Sequence, residues 1–430
     1  MDIALALIVT FLLAMVIGIP ISFSLGISSL VALLIWGQVN ALDVIVARTF
    51  RGMDSYPLMA IPLFMLAGEL MGISITNKLI NLAQALIGFV RGGLSLVTVL
   101  TAMFFGGITG VGVAENVALG SILVPAMKEK GYKPEFAAAL IGASSTMGPI
   151  IPPSVPMVIY CLAVGGSVSV AGLFLSGIVP GIMLGLSFMA VAIIVMKVKK
   201  YPMDSIKFSF KNILTSLREA IWALGMPLII VGGMLLGYFT ATESAAVAVA
   251  YAAFVGFFIH RDLKVKDLPK FLLRSSIVTA VVIFLIAISR VVSWILTVQQ
   301  FPDILAAFLL SITQSPVIFM LIITGMLLVV GCFIDPGAAI IMLAPILAPI
   351  ALKFGVDPIH FALAMILNLQ IGMITPPVGV ILFVSSSIAE ISFERVVSAI
   401  WPFVVGAFIV LFLVVLFPAF STFIPHAFGY

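Results

Sequence analysis

Long apolar segments separated by short polar loops follow one another along almost the whole chain. They run at residues 3–36, 56–73, 79–90, 94–126, 135–163, 171–196, 219–238, 240–259, 275–299, 303–313, 316–330, 332–352, 359–390 and 398–424. Because a helix needs about 20 apolar residues to cross the hydrocarbon core of a bilayer, this pattern predicts an all-α polytopic membrane protein. The first segment contains Gly18 and Pro20 near its middle, which predicts a bent helix or two short helices.

Two of the apolar segments are predicted to break within the membrane. Residues 142–154 read GASSTMGPIIPPS, and residues 368–379 read NLQIGMITPPVG. Proline removes a backbone donor and clashes with the preceding turn, so a continuous helix is not expected there. In lipid the freed backbone groups must find partners inside the protein. Two broken helices in corresponding positions point to the binding site of a transporter.

An internal repeat appears at an offset of 224 residues. The matching glycines and prolines are Pro125 with Pro349, Gly131 with Gly355, Pro134 with Pro358, Gly148 with Gly372, and Pro152–Pro153 with Pro376–Pro377. The matched loops differ in charge, because residues 128–133 are basic and residues 353–357 are balanced. This contrast predicts two inverted repeats, with one loop cytoplasmic and the other periplasmic.

A second irregular stretch precedes each broken helix, at Gly106–Asn116 (GGITGVGVAEN) and at Gly331–Ala338 (GCFIDPGA). Each is predicted to be the tip of a re-entrant helical hairpin. Unwound carbonyls and half-helix C-termini suit a hard cation such as Na⁺, and half-helix N-termini suit a carboxylate. The alternative is that these small residues only allow close helix packing. Further side-chain oxygens are offered by Ser144, Ser145, Thr146, Asn368, Gln370 and Thr375.

Ionisable residues inside the apolar segments are candidates for function, because charge in the membrane is costly. Glu115 and Asp335 fall at the two proposed tips, where we expect a supporting hydrogen bond or charge rather than direct ligation of an ion. Glu69 and Glu243 are expected to pair with polar neighbours or to contact the substrate. Arg290 either faces an anionic substrate or forms a salt bridge with a carboxylate, and the salt bridge is the preferred interpretation.

Composition and charge agree with a membrane protein and predict its orientation. Of 430 residues, 63% are hydrophobic and 9% are charged, whereas a soluble domain carries about a quarter charged residues. The hydrophilic stretches Lys197–Arg218, which includes Lys207, and Arg261–Arg274 are basic, so the positive-inside rule places both on the cytoplasmic face. The same rule explains the net charge of +4 without a nucleic-acid partner.

Patterns typical of enzymes and metal sites are missing from the sequence. It contains no HExxH, Walker loop or GxSxG, and no nucleophile–base pair, which disfavours intramembrane proteolysis and ATP-driven pumping. The three histidines are not at metal-ligand spacing, and Cys161 and Cys332 lie in apolar segments typical of buried thiols. We therefore expect a transport protein without a cofactor that uses an ion gradient, unless a partner hydrolyses ATP.

Five stretches carry a resemblance to a known family. They read VPAMKEKGYKPEFAAAL (124–140), GASSTMGPIIPPSVPMVIY (142–160), GYFTATESAAVAVAYA (237–252), DPGAAIIMLAPILAPIA (335–351) and QIGMITPPVGVILFV (370–384). In this order, and over essentially the whole chain, the sequence resembles the large membrane subunit of tripartite ATP-independent periplasmic (TRAP) transporters. Residues 240–244 (TATES) depart slightly from the family's usual sequence.

The resemblance implies an elevator-type Na⁺ symporter of the bacterial inner membrane. A transport domain with both hairpins and both broken helices would move against a scaffold of the remaining helices. A periplasmic substrate-binding protein would deliver an organic acid, such as a four-carbon dicarboxylate, sialic acid or another sugar acid. A small four-helix membrane subunit, expected to be a separate polypeptide, would complete the complex. The expected units are 1–90 (scaffold), 91–170 (first hairpin and broken helix), 171–300 (connector, basic loops and scaffold), 301–396 (second hairpin and broken helix) and 397–430 (C-terminal helix).

The resemblance also implies the positions of the sites. One Na⁺ site would pair the 106–116 tip with 144–149, and the other would pair the 331–338 tip with 368–376. The first would use Gly106, Gly110, Asn116, Ser144, Ser145 and Gly148. The second would use Gly331, Asp335, Asn368, Gly372 and Thr375. The substrate would lie between them, against Gly107, Thr146, Ser154, Gln370, Thr375 and Pro377.

Three other functions stay open at this point. A self-sufficient Na⁺- or H⁺-coupled dicarboxylate or citrate symporter would need no binding protein. A neighbouring gene that encodes a periplasmic binding protein would decide against this alternative. A non-transporting membrane scaffold or signalling component would not respond to Na⁺. An intramembrane enzyme would need a catalytic constellation that the sequence lacks.

Overall fold

Helices make up all the regular structure of the described residues, which in the computed structural model are 2–37, 41–90, 92–201 and 208–430. Two predicted features lie outside the described residues: Lys207 of the basic connector, and Arg91, where the second predicted unit begins.

Nineteen α-helices lie within the described residues. They are α1 Asp2–Val16, α2 Ile21–Ile35, α3 Ala41–Met53, α4 Ala60–Ile87, α5 Gly93–Thr109, α6 Gly112–Glu129, α7 Pro134–Ser145, α8 Val155–Ala163, α9 Val170–Lys199, α10 Phe210–Leu235, α11 Ala241–Phe254, α12 Leu268–Val298, α13 Phe301–Ile312, α14 Pro316–Phe333, α15 Pro336–Lys353, α16 Pro358–Gly372, α17 Val380–Ala389, α18 Phe393–Leu416 and α19 Ala419–Ala427. A π-helical turn, Val255–Ile259, extends α11, and 3-10 turns at Tyr56–Met59 and Val265–Asp267 precede α4 and α12.

Seven of the described helices are long and apolar enough to cross a membrane: α9, α10, α11 with its extension, α12 with its preceding turn, α14, α15 and α18. The pair Leu42–Met53 and Tyr56–Gly72, bent by 62°, adds an eighth if it counts as one span. The prediction of an all-α polytopic membrane protein is therefore confirmed.

The first apolar segment forms two short helices, which is one of the two predicted alternatives, rather than one bent helix. The backbone of Gly18 has φ +89°, a conformation that residues with a side chain rarely adopt, and Pro20 immediately precedes α2. The positive φ of Gly18 thus turns the backbone away from the axis of α1. Pro20 then suits the position just before the next helix.

The apolar segments 56–73 and 79–90 are not separate elements, because α4 (Ala60–Ile87) runs from one into the other without a break. Two of the polar residues between them, Thr76 and Lys78, find partners without breaking the helix. The hydroxyl of Thr76 donates to the carbonyl of Gly72 at 2.6 Å, and Lys78 lies 3.5 Å from the carboxylate of Asp262. The sequence pattern also missed α3, because its charged residues interrupt the apolar run by which the other segments were recognised. One of them, Arg48, stacks over the ring of Trp294 at 4.7 Å.

The packing of the later helices brings the two halves of the chain together. The hairpin α5–α6 packs against α7, and α14 and α15 pack against α16. The continuation of each broken helix then crosses over: α8 packs against α15, and α17 packs against α6 and α7. Each half therefore contributes to the surroundings of the other half's hairpin. The inverted orientation of the halves and the division into moving and fixed units stay predictions.

Candidate functional site

The first hairpin closes on the first broken helix through backbone contacts that only glycine permits. We call residues 106–116 and 144–155 together the first clamshell. A methyl carbon on Gly106 would lie 2.7 Å from the Cα atom of Gly148, and one on Gly112 would lie 2.8 Å from the carbonyl oxygen of Ser145. Real side chains do not tolerate such distances, so the sequence allows the two backbones to touch here. The structure thus brings together the stretches that were expected to pair.

The tip of this hairpin is anchored to the start of α8. Gly110 has φ +62° and ends α5, and its carbonyl accepts a hydrogen bond from the amide of Val155 at 3.4 Å. A methyl carbon on Gly110 would lie 2.6 Å from the carbonyl oxygen of Pro153. Ser154 caps α8 by accepting from the amide of Met157 at 3.3 Å. The unwound stretch therefore lies directly against the turn of the hairpin.

Glu115 lies where the two parts of the first clamshell meet. It is fully buried, and neither of its carboxylate oxygens has a hydrogen-bond partner within the described part of the chain. One oxygen would lie 3.4 Å from a methyl carbon on Gly106, and it lies closer still to the same position on Gly148. Burying a carboxylate without a partner is unfavourable, so this arrangement suits a bound cation. Sequence reasoning placed Glu115 near an ion site but treated it as a supporting group.

The predicted hydroxyl residues of the first unwound stretch all bond within their own segment. Ser144 donates to Leu140 at 2.7 Å, Ser145 to Gly142 at 2.9 Å, Thr146 to Ala143 at 2.7 Å and Ser154 to Pro149 at 2.5 Å, in each case to the carbonyl oxygen. A hydroxyl that donates its hydrogen keeps lone pairs that can accept from a ligand or bind a cation. All four side chains are buried.

The second hairpin closes on the second broken helix in the same manner. Residues 331–338 and 368–379 form what we call the second clamshell. A methyl carbon on Gly372 would lie 2.5 Å from the carbonyl carbon of Gly331 and 2.6 Å from its Cα atom. The amide of Gly379, which has φ +55°, donates to the carbonyl of Cys332 at 3.2 Å. The Thr375 hydroxyl donates to Ile371 at 2.8 Å.

Two buried amide side chains of the second clamshell each have an oxygen without a hydrogen-bond partner among the described residues. Asn368 donates through Nδ2 to the carbonyl of Thr324 at 3.1 Å, but its Oδ1 has no partner among the described residues. The Oε1 atom of Gln370 is likewise without one. Both side chains are almost completely buried. Oxygens in this state favour a cation or a donor group of a ligand.

The remaining predicted substrate residues occupy different surroundings. Gly107 is buried, and a methyl carbon on it would lie 3.4 Å from the carbonyl oxygen of Pro152 and 3.6 Å from Pro227 of α10. Thr375 is half-buried and Pro377 is exposed. That these residues, with Thr146, Ser154 and Gln370, surround one substrate stays a prediction.

Asp335 has a structural task at the tip of the second hairpin. Its carboxylate accepts hydrogen bonds from the backbone amides of Gly337 at 2.9 Å and Ala338 at 3.4 Å, and so caps the N-terminus of α15. Its side chain thus supports the clamshell through this helix end.

We therefore expect Asp335→Asn to resemble the wild type and Asp335→Ala to lose about 1 kcal/mol of stability, since asparagine also caps helices and alanine does not. Thermal unfolding and the Na⁺ dependence of the purified protein check both variants. Loss of Na⁺ dependence in a well-folded Asp335→Asn protein would instead assign an ionic role to this side chain.

Glu243 forms a capping box at the start of α11. Its carboxylate accepts from the backbone amide and from the hydroxyl of Thr240, each at 2.8 Å, while its own amide donates to that hydroxyl at 3.3 Å. Glu69 lies 3.9 Å from Arg274. The expectation that these two acids pair with polar neighbours agrees with the structure.

Arg290 does not form the predicted salt bridge with any described carboxylate. Its Nη2 atom donates to the carbonyl oxygen of Leu162 at 2.8 Å, in the last turn of α8. Helix C-termini carry unpaired carbonyls and a partial negative charge, so a cation is stabilised there without an acid. Arg290 lies on α12 and therefore ties that helix to the first broken helix.

Replacing Arg290 with methionine is expected to lower the free energy of unfolding by about 2 kcal/mol, because a hydrogen bond from a charged donor is lost. Thermal unfolding of the purified protein measures this change, with Arg218→Met, an exposed arginine of α10, as the matched control. Equal stability of the two variants would contradict this role. Lost transport without lost stability would favour the alternative, a substrate contact.

Asn116 bonds across to α17 through its amide nitrogen, while its Oδ1 atom has no partner among the described residues, so its place among the ion ligands stays a prediction. Its amide nitrogen donates to the hydroxyl oxygen of Ser385 at 2.8 Å and to the carbonyl of Ile381 at 3.3 Å, both on α17. Sequence reasoning missed both of these partners. The signal that could have indicated them is the serine run at residues 385–387, which is unusual inside an apolar segment.

Comparison with known proteins finds TRAP transporter permeases by a family model and by individual relatives. The family model for the tripartite ATP-independent periplasmic transporter, DctM component, matches residues 8–420. The isethionate TRAP transporter permease protein DctMQ of Oleidesulfovibrio alaskensis is 37% identical over 96% of this chain, which spans 65% of that relative's length. The C4-dicarboxylate TRAP transporter large permease protein DctM of Pseudomonas aeruginosa is 38% identical over 94% of each chain.

Two further similarities extend this comparison. The sialic acid TRAP transporter large permease protein SiaM of Vibrio cholerae is 36% identical over 96% of each chain. The crystal structure of the Alcanivorax borkumensis YdaH transporter superposes with a TM-score of 0.61 over 91% of this chain and 90% of its own, at 15% identity. At that identity the likeness shows the fold alone.

Proposed function

This chain belongs to the DctM component family of tripartite ATP-independent periplasmic transporters, and on that premise we propose that it moves an organic anion across the bacterial inner membrane by symport with Na⁺. The observation that carries the proposal is the pair of glycine-closed clamshells, each with buried oxygens that lack a partner among the described residues. In the first, these oxygens are the carboxylate of Glu115 and the amide oxygen of Asn116; in the second, they are the amide oxygens of Asn368 and Gln370.

The chemistry of these groups favours Na⁺ as the coupling ion. All the available donors are oxygens from a carboxylate, amides, hydroxyls and backbone carbonyls, and hard cations prefer oxygen ligands. Unwound carbonyls and half-helix ends at a broken helix are suited to Na⁺. The close backbone contacts Gly106–Gly148 and Gly331–Gly372 would hold the carbonyls of hairpin and broken helix within reach of one ion.

An anionic substrate suits the start of α8 and the start of α17, since a helix N-terminus carries a partial positive charge and free amides. These helices begin directly after the two unwound stretches, at Val155 and Val380. The relatives named for C4-dicarboxylate, sialic acid and isethionate transport all handle anions. We therefore propose a small carboxylate or a similar organic anion as the substrate of this chain.

Transport would proceed by an elevator movement in which the hairpins and broken helices shift together against the remaining helices. The interleaved packing of α8 on α15, and of α17 on α6 and α7, supports this proposal, because it ties both clamshells into one unit. A small membrane subunit and a periplasmic substrate-binding protein would complete the transporter.

Uptake into proteoliposomes tests the proposal. Vesicles would contain this chain with its small membrane subunit, and radiolabelled succinate, N-acetylneuraminate and isethionate would be offered in turn. An inward Na⁺ gradient would be imposed with and without the cognate binding protein outside. We expect uptake of one anion that needs both the gradient and the binding protein. Uptake that needs no binding protein would indicate a self-sufficient symporter, and uptake indifferent to Na⁺ would refute the coupling.

A further inference from the structure

A buried polar contact connects the first clamshell to the second broken helix. Asn116 and Ser385 are both completely buried, and the 2.8 Å hydrogen bond between them spans 269 positions of the chain. The same amide also reaches the carbonyl of Ile381 at 3.3 Å. Polar groups in such surroundings are costly to leave unpaired, so this contact fixes the relative position of α6 and α17.

On one side, the contact leads directly into the second clamshell. The amide of Ile381, whose carbonyl accepts from Asn116, donates to the carbonyl of Met373 at 3.3 Å. Met373 follows Gly372, the residue that closes this clamshell on Gly331. A displacement of α6 is therefore transmitted through two hydrogen bonds to the unwound stretch.

On the other side, Asn116 is adjacent in the chain to Glu115, whose carboxylate lies against Gly106 and Gly148. Both residues belong to the first turns of α6, which begins at Gly112 beside the carbonyl of Ser145. A cation drawn to Glu115 would thus act on the helix that carries Asn116.

The junction is tightly packed and has no polar equivalent in the other half. A methyl carbon on Gly142 of α7 would lie 2.8 Å from the Ser385 hydroxyl, so three helices meet at this oxygen. At the repeat offset of 224 residues, the positions that correspond to Asn116 and Ser385 hold Ile340 and Cys161. The amide–hydroxyl bond is therefore present in one of the two crossings.

We propose that Asn116, with Ser385 and Ile381 as its partners, is a positioning residue that couples ion occupancy of the first clamshell to that of the second. This inference rests on the proposed function, in which both clamshells bind Na⁺. Its consequence is cooperative binding, because an ion in one clamshell orders the helix that shapes the other.

The test uses sodium alone as the probe. The purified full-length chain, in complex with its small membrane subunit, is titrated with NaCl at constant ionic strength against choline chloride, and the thermal unfolding midpoint is recorded. The variants are Asn116→Leu, which keeps the shape without the amide, and the milder Ser385→Ala. The matched control is Ser386→Ala, because that hydroxyl bonds to Phe383 on its own helix at 2.8 Å.

We expect the wild type and Ser386→Ala to respond with a Hill coefficient above 1, whereas Asn116→Leu and Ser385→Ala respond with about 1 and need at least about fivefold more Na⁺. The double variant should add little to either single one, since both break the same contact. A loss of packing alone would lower the midpoint without Na⁺ but leave the Hill coefficient unchanged.

Two outcomes overturn the inference, and they are distinguishable. A cooperative wild type whose response Asn116→Leu and Ser385→Ala leave unchanged refutes the coupling role and spares the proposed function. A wild type that responds equally to Na⁺ and choline refutes the proposed Na⁺ function, and the coupling falls with it.

Discussion

Gly372→Ala is expected to reduce Na⁺-driven uptake about 100-fold, because a displacement on the order of 1 Å at a binding site has effects of this size. The added methyl carbon would lie 2.5 Å from the carbonyl carbon of Gly331 and 2.9 Å from its oxygen. These are backbone atoms, which cannot rotate away as a side chain would. The second clamshell must therefore open to accommodate the methyl group.

Gly325→Ala on α14 is the matched control, since a methyl carbon there meets nothing within 4 Å. Both proteins would be reconstituted at equal amounts and their uptake compared, after thermal unfolding has shown that each is folded. Uptake by Gly372→Ala at the rate of the control would contradict the assignment of this contact to the transport site.

Glu115→Gln is expected to raise the Na⁺ concentration for half-maximal uptake by at least about tenfold, which corresponds to about 1.4 kcal/mol. A unit charge about 4 Å from a monovalent cation contributes about 4 kcal/mol at an effective dielectric constant of about 20. The substitution removes that charge and nearly keeps the shape. Glutamine can also donate a hydrogen bond, so the buried position stays tolerable.

Glu243→Gln provides the comparison, because its amide oxygen can still accept from Thr240 in the capping box. Glu243→Gln makes the same change from carboxylate to amide, but at a position distant in the sequence from both clamshells. An equal Na⁺ dependence of the two variants would show that Glu115 is not part of an ion site.

The features that could be predicted from the sequence are those that depend on local backbone chemistry. Gly148, the Pro152–Pro153 pair and their counterparts at Gly372 and Pro376–Pro377 interrupt apolar segments. One helix does end at Ser145, shortly before Gly148, and the other ends at Gly372 itself. Glycine and proline act on their own backbone and the adjacent turn, so their effect is readable without knowing what lies nearby.

The features that could not be predicted depend on partners distant in the chain. Arg290 bonds to a carbonyl 128 positions away rather than to an acid, and the amide nitrogen of Asn116 bonds to a serine 269 positions away. A local pattern shows that a buried polar group needs a partner but does not identify it. The continuity of α4 was missed for the same reason, since Lys78 finds Asp262 only in the folded chain.

Equilibrium binding of radioactive sodium to the purified complex tests the central claim, that the two clamshells hold the coupling ions. The wild type is compared with Gly106→Ala, whose methyl carbon would lie 2.7 Å from the Cα atom of Gly148, and with Gly372→Ala. The account predicts saturable binding by the wild type that each substitution reduces and the two together abolish. Saturable binding that is unchanged in the double variant would contradict it.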